Sequence, residues 1–163
     1  ETIELTRSFG GMPVFYGDPQ RPEILHAAKV DQAEYFVIAM DDPEINIKTA
    51  ELVRNLYPHM KIIARARNRQ HVHRLVDLDA SPVRETFYSS LEMSRRTLVG
   101  LGLSETQADA RINRFKHHDL QLLAAQHAVY DDAAKVMQSA QEARAELARL
   151  FEMDRLEEES AKV

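Results

Sequence analysis

The chain has 163 residues, of which 44% are hydrophobic and 29% charged, enough for a small α/β domain with a helical appendage. Its formal net charge of −5 disfavours non-specific nucleic-acid binding, so we expect no nucleic-acid partner. The absence of cysteine excludes a disulfide scaffold, a thiolate nucleophile and a cysteine zinc site. No apolar run approaches the roughly 18 residues of a membrane-spanning helix.

The first half of the chain alternates strand and helix patterns. A helix is predicted at 2–9, a strand at 12–16 and a helix at 20–28. The nearly continuous apolar run at 34–40 is typical of a strand covered on both faces. Asp42 followed by Pro43 predicts a helix start, and a strand at 61–65 and a helix at 68–78 follow. This alternation predicts a parallel, Rossmann-like sheet.

The second half of the chain has a helical apolar period. The first helix begins at Phe87 and ends at two glycines, and Ser104 with Gln107 forms a capping box that begins the second. The last helix begins after Asp131-Asp132, and residues 131–163 hold nine acidic and five basic residues, which makes this segment −4. Its apolar stripe fits a dimerisation arm or packing within the chain, and both remain open. We therefore predict an α/β part at 1–87 and a helical, dimer-forming part at 88–163.

Arginines gather where the predicted strand at 61–65 ends. Arg65 ends that strand, Arg67 and Arg69 follow it, and Arg84 lies in the next loop. Open parallel sheets bind ligands at the carboxyl ends of their strands, and arginine pairs bidentately with carboxylates and phosphates. The cluster predicts a small anionic ligand. The structural alternative is that these arginines form salt bridges to Asp77, Asp79 and Glu85.

Other motifs support weaker interpretations. Gly17-Asp18 after a strand could face a nucleotide, but such a pair more often forms only a turn. Asp41-Asp42-Pro43 could form an acidic metal pocket, but helix capping explains these residues. The histidines lack zinc-ligand spacing, and no serine occupies a nucleophile elbow. We therefore predict neither a metal site nor a catalytic residue.

The motifs together resemble a known family. They are VFYGD at 14–18, AMDDP at 39–43, PHMKIIARAR at 58–67, His71 and RETF at 84–87. In these motifs the chain is similar to the cytoplasmic regulatory domain of bacterial Kef systems, the glutathione-gated potassium-efflux transporters, whose nucleotide-binding fold is of the KTN, RCK or TrkA-N type. The similarity extends to about Phe151.

The first βαβ unit of that fold and its G-x-G-x-x-G turn are missing from this chain. The chain also begins at Glu1, inside a helical pattern and without an initiator methionine. We therefore expect a piece of a longer protein, with a sheet face or edge left uncovered.

The resemblance implies a ligand sensor rather than an enzyme. Such domains are cytoplasmic parts of inner-membrane proteins and bind AMP or NAD(H). Glutathione keeps the transporter closed, and glutathione adducts of electrophiles activate potassium efflux coupled to proton entry. Carried over by motif, the glutathione-binding residues are Arg84, Asp119, Phe9, Arg67 and His71. The nucleotide-binding residues are Gly17, Asp18 and Asp41.

The resemblance also implies partners. These are a second copy of the chain, forming a homodimer, the membrane antiporter domain of the same polypeptide, and an accessory flavoprotein quinone oxidoreductase as a candidate. Two other functions remain open from the sequence. One is a fragment of an NAD(P)-dependent Rossmann oxidoreductase, which predicts hydride transfer. The other is a regulatory subunit of a potassium-uptake system, which predicts no apolar helices upstream in the same gene.

Overall fold

A computed structural model describes residues 13–160, without the side chains of 154 and 157–160. The chain divides into two compact units, Glu1–Arg84 and Glu85–Val163. The described helices and strands, apart from two short 3-10 turns, are α1 (Pro22–Ala27), β1 (Tyr35–Ile38), α2 (Pro43–Leu56), β2 (Lys61–Ala66), α3 (Arg69–Asp77), β3 (Ala80–Arg84), α4 (Phe87–Gly100), α5 (Glu105–Gln126) and α6 (Ala133–Ser160).

The first unit is built on a parallel sheet with strand order β1-β2-β3. Ile38 pairs with Ala64 across β1 and β2, and Ala66 pairs with Arg84 across β2 and β3. The three strands therefore end at one edge, as a parallel α/β sheet requires. The predicted α/β fold with a Rossmann-like parallel sheet is confirmed.

The two faces of this sheet differ in burial. Alternate residues, among them Ile38 and Ala64, are buried on one face, where α2 packs on β1 and β2 and α3 packs on β2 and β3. The other face carries Val37, which is 64% exposed. The prediction that the first apolar strand is covered on both faces is therefore wrong. Successive right-handed crossovers in one direction place both helices on the same side of the sheet.

Two other strand predictions need correction. The predicted strand at 12–16 is wrong for residues 13–16, which join none of the three described strands. The segment Ala80–Arg84, predicted as a loop, forms β3. It contains Pro82, which is tolerated because β3 pairs with a single neighbour in the described sheet.

Predicted helix starts in the first unit agree with the structure. The Asp42 carboxylate accepts hydrogen bonds from the backbone N–H groups of Glu44 and Ile45, and Pro43 opens the first turn of α2. At the other end of α2, the Arg54 guanidinium donates to the carbonyl oxygens of Leu78, Pro58 and Asp79. One side chain thus ties α2 to the turn before β3.

The second unit contains the three helices α4, α5 and α6. The capping box at Ser104 and Gln107 is present, with the serine hydroxyl accepting from the Gln107 N–H at 3.2 Å and the Gln107 side chain accepting from the Ser104 N–H at 3.0 Å. Gly102 has φ of 100° and ends the turn after α4. Within residues 13–160, every helix falls short of the length or apolar character that a membrane span requires.

Candidate ligand-binding site at the carboxyl edge of the sheet

Arg65 is held by protein groups at the edge of the sheet. Its guanidinium lies 2.9 Å from an Asp41 carboxylate oxygen and 3.4 Å from the carbonyl oxygen of Ala39. These contacts join the end of β2 to the end of β1. Arg65 therefore forms a salt bridge, and its partner Asp41 is not among the three acidic residues that the sequence suggested.

Arg67 is in a different position. It follows β2 directly and is exposed. Among residues 13–160, no carboxylate forms an ion pair with its guanidinium, and Arg67 bonds to His71 through its backbone N–H. A guanidinium at a strand end with no carboxylate neighbour can offer its paired donors to an anion from solution.

Arg84 ends the neighbouring strand. Its Cα pairs in register with that of Ala66, so Arg67 follows the residue opposite Arg84. Arg84 is half-buried and has protein contacts of its own. The structure thus places both predicted cations at the carboxyl ends of adjacent strands, where ligands of open parallel sheets bind.

His71 lies in the first turn of α3 and is 4% exposed. Its Nδ1 atom accepts a hydrogen bond of 3.1 Å from the Arg67 backbone N–H, and its own N–H donates to Asn68 Oδ1 at 2.8 Å. Because Nδ1 is the acceptor, the neutral ring carries its proton on Nε2. Burial, reinforced by the charge of Arg74 and opposed by that of Glu44, lowers the pKa of His71 below its ordinary value.

The predicted nucleotide residues Gly17 and Asp18 lie in a turn. Asp18 Oδ1 accepts from the Gln20 N–H at 2.9 Å, and the Asp18 carbonyl accepts from the Arg21 N–H at 3.1 Å. A Cβ on Gly17 would lie 2.5 Å from Ile24 Cδ1. Close packing against α1 is therefore one structural reason for this glycine.

The remaining predicted residues lie elsewhere in the chain. Asp119 belongs to α5 in the second unit and is 7% exposed. Phe9 lies outside the described residues. A groove of about 690 Å³ in the second unit is lined by apolar and polar side chains of α4 and α5 together with Phe151, and it includes none of the predicted site residues. Among the described residues, no group of three or more potential metal-ligating side chains could hold a metal ion.

Sequence reasoning missed Asn46, which is 2% exposed on the inner face of α2. Its amide nitrogen donates to the carbonyl oxygens of Met40 at 3.0 Å and Arg65 at 3.2 Å, so it joins the ends of β1 and β2. A signal was present: a polar amide at an inward helical position beside Ile47 is unusual without buried partners.

Comparisons with known proteins agree with this architecture. The TrkA-N domain model matches residues 1–84, and the "Potassium efflux system KefB C-terminal domain" model matches residues 89–162. The "Glutathione-regulated potassium-efflux system protein KefC" of Salmonella arizonae is 43% identical over 122 residues, which are 74% of this chain and 20% of that protein. The same protein of Salmonella paratyphi B is 42% identical over the same shares.

A solved structure is also similar. "Shewanella denitrificans Kef CTD in AMP bound form" superposes with a TM-score of 0.68 at 32% identity, covering 78% of this chain and 90% of that chain. The chain spans about a fifth of the length of the curated relatives it matches.

The fold and its cationic strand ends define a ligand-binding regulatory domain of the Rossmann-like class. The chain belongs to the TrkA-N domain family, and its second half matches the Kef C-terminal domain. It is thus a KTN/RCK regulatory domain of the Kef type, as the motifs predicted. Its relatives are regulated transport proteins and not enzymes, which disfavours the oxidoreductase interpretation.

Proposed function

We propose that this chain is the sensor of a glutathione-regulated potassium-efflux antiporter. In this proposal glutathione holds the K⁺/H⁺ antiporter closed, glutathione adducts of electrophiles activate it, and AMP or NAD(H) binds at the carboxyl edge of the sheet. The names of the Salmonella relatives support regulation by glutathione, and the AMP-bound state of the Shewanella structure supports AMP as a ligand.

The observation that carries the proposal is that Arg67 is exposed and that no described carboxylate forms an ion pair with its guanidinium. Glutathione has two carboxylates and one ammonium group, and an exposed guanidinium without a described carboxylate partner matches a carboxylate. Arg84, at the end of the adjacent strand, would grip the same tripeptide. The roles of Asp119, toward the ammonium group, and of Phe9, displaced by the substituent of an adduct, rest on the family resemblance alone. Arg65 would hold the edge together through Asp41.

The nucleotide would lie beside Gly17, Asp18 and Asp41. The domain would act as a homodimer on the cytoplasmic side of the bacterial inner membrane, joined to its antiporter domain in one polypeptide. An accessory flavoprotein quinone oxidoreductase would be a further partner.

Calorimetric titration with reduced glutathione tests the ligand. Arg67→Ala should weaken binding by about tenfold or more, since a charge-assisted bidentate pair is lost. Arg96→Ala removes an equal charge from an exposed side chain of α4 and should leave the affinity unchanged. Absence of glutathione binding by the wild type would contradict the proposal. Equal losses in both variants would show that general charge, and not a site, binds the tripeptide.

The switch is tested separately with an S-substituted glutathione that carries a bulky group. The full-length protein should release potassium in response to the adduct and not to glutathione, because a ligand shifts a two-state equilibrium only through different affinities for the two states. Phe9→Ala should reduce this difference. Equal responses of the wild type to both ligands would exclude the switch.

A further inference from the structure

The loop between β2 and α3 is closed by two hydrogen bonds to one residue. His71 donates its backbone N–H to the Asn68 side chain at 2.8 Å, and its ring accepts the Arg67 N–H at 3.1 Å. The first turn of α3 therefore holds the Arg67 backbone. This bond restrains the backbone from which the Arg67 side chain leaves the strand end.

The imidazole itself is poorly placed to contact a ligand. It is 4% exposed, and Nδ1 is already occupied by the Arg67 N–H. The other nitrogen, Nε2, is buried and has no partner among the described residues. An anion at the exposed Arg67 guanidinium would therefore contact the arginine and not the buried imidazole.

We propose that His71 is a positioning residue: it orients Arg67 toward an anionic ligand through the Arg67 backbone and does not touch the ligand. This inference rests on the proposed function and assigns His71 a role different from the direct contact that the family resemblance implies. It makes the neutral ring, with an unprotonated Nδ1, the form that supports binding.

A double-mutant cycle separates positioning from contact. In calorimetric titrations with reduced glutathione, His71→Leu should weaken binding by about threefold to tenfold, as expected for loss of one neutral hydrogen bond. In a protein that already carries Arg67→Ala, the same change should have no further effect. If His71→Leu weakens binding equally in both backgrounds, the ring contacts the ligand and the proposal is wrong.

A conservative variant distinguishes the hydrogen bond from packing. The Oδ1 atom of asparagine occupies the position of Nδ1, so His71→Asn should keep most of the affinity. His59→Asn, at an exposed residue before β2, serves as the matched control and should bind like the wild type. A loss in His71→Asn as large as in His71→Leu would contradict the proposal.

Hydrogen exchange of the Arg67 amide is measured without a ligand, and the folded wild type alone can already contradict the proposal. The Arg67 amide should be protected in the wild type and in His71→Asn, and unprotected in His71→Leu. If the wild type fails to bind glutathione, the proposed function falls, and the exchange measurement still decides the positioning role. An unprotected Arg67 amide in the wild type would contradict the positioning role of His71.

Discussion

The side-chain amide of Asn46 donates a hydrogen bond of 3.2 Å to the carbonyl oxygen of Arg65, one residue before the end of β2. The same nitrogen donates to the carbonyl oxygen of Met40, just beyond β1. Asn46 therefore joins α2 to two neighbouring strand ends, and the candidate anion site is built on the edge that it holds.

Replacing Asn46 should destabilise the first unit. Asn46→Ala removes both donors and leaves two carbonyl groups less well satisfied, so we expect a loss of about 1–3 kcal/mol in the free energy of unfolding. Asn46→Asp, which is nearly the same size, should cost more, because an ionised carboxylate would face two carbonyl oxygens. Chemical denaturation at neutral pH measures both.

Asn55, on the exposed side of the same helix, is the matched control. Asn55→Ala should change the unfolding free energy by less than about 0.5 kcal/mol. If Asn46→Ala is as mild as Asn55→Ala, the two buried hydrogen bonds do not contribute to stability.

The capping box of α5 gives a second prediction. Ser104→Ala should destabilise the protein by about 1 kcal/mol, because the hydroxyl no longer accepts from the Gln107 N–H. Ser94→Ala is the matched change within α4, where the hydroxyl donates to the carbonyl oxygen of the preceding turn at Ser90. It should be neutral or slightly stabilising. Thermal unfolding followed by circular dichroism measures both, and equal effects would contradict the capping role.

The buried ring of His71 predicts a pH dependence of stability. The folded pKa is lowered by burial and by Arg74 on the same helix, while Glu44 on α2 acts in the opposite direction. Below about pH 6.5 the unfolded chain therefore binds a proton that the folded protein does not, so stability falls as the pH drops toward the folded pKa. Below the folded pKa both states carry the proton, and this decline ends.

Urea unfolding of the wild type and His71→Asn between about pH 7.5 and 5.5 tests this sign. As the pH falls, the unfolding free energy of the wild type should decrease relative to that of His71→Asn, since asparagine does not titrate. His59→Asn, at an exposed position, should follow the wild type. A constant difference between the wild type and His71→Asn across this range would show that His71 binds a proton equally in both states.

Most helices and two strands were predictable because their signals are local. The Asp42-Pro43 start of α2 and the capping box of α5 each depend on residues within one turn of the chain. The strand β3 was missed because ASPVR contains a proline and little apolar sequence. It forms by pairing with β2, and the residues of β3 alone do not predict this pairing.

At the candidate site, the sequence predicted that arginines gather near one strand end but left their individual roles open. The structure separates them: Arg65 pairs with Asp41, whereas Arg67 is exposed without a described carboxylate partner. It also places Arg84 at the end of the adjacent strand through the Ala66 register. The assignment of individual residues to glutathione or nucleotide stays a prediction.

The amino-acid sequence alone sufficed for the α/β class, the helical second half and the family, because periodicity, caps and short motifs are properties of neighbouring residues. Which arginine forms a salt bridge and which face of the sheet is exposed depended on the folded chain. These are relations between residues distant in sequence, and parallel strand pairing with helices packed on one side of the sheet brings those residues together.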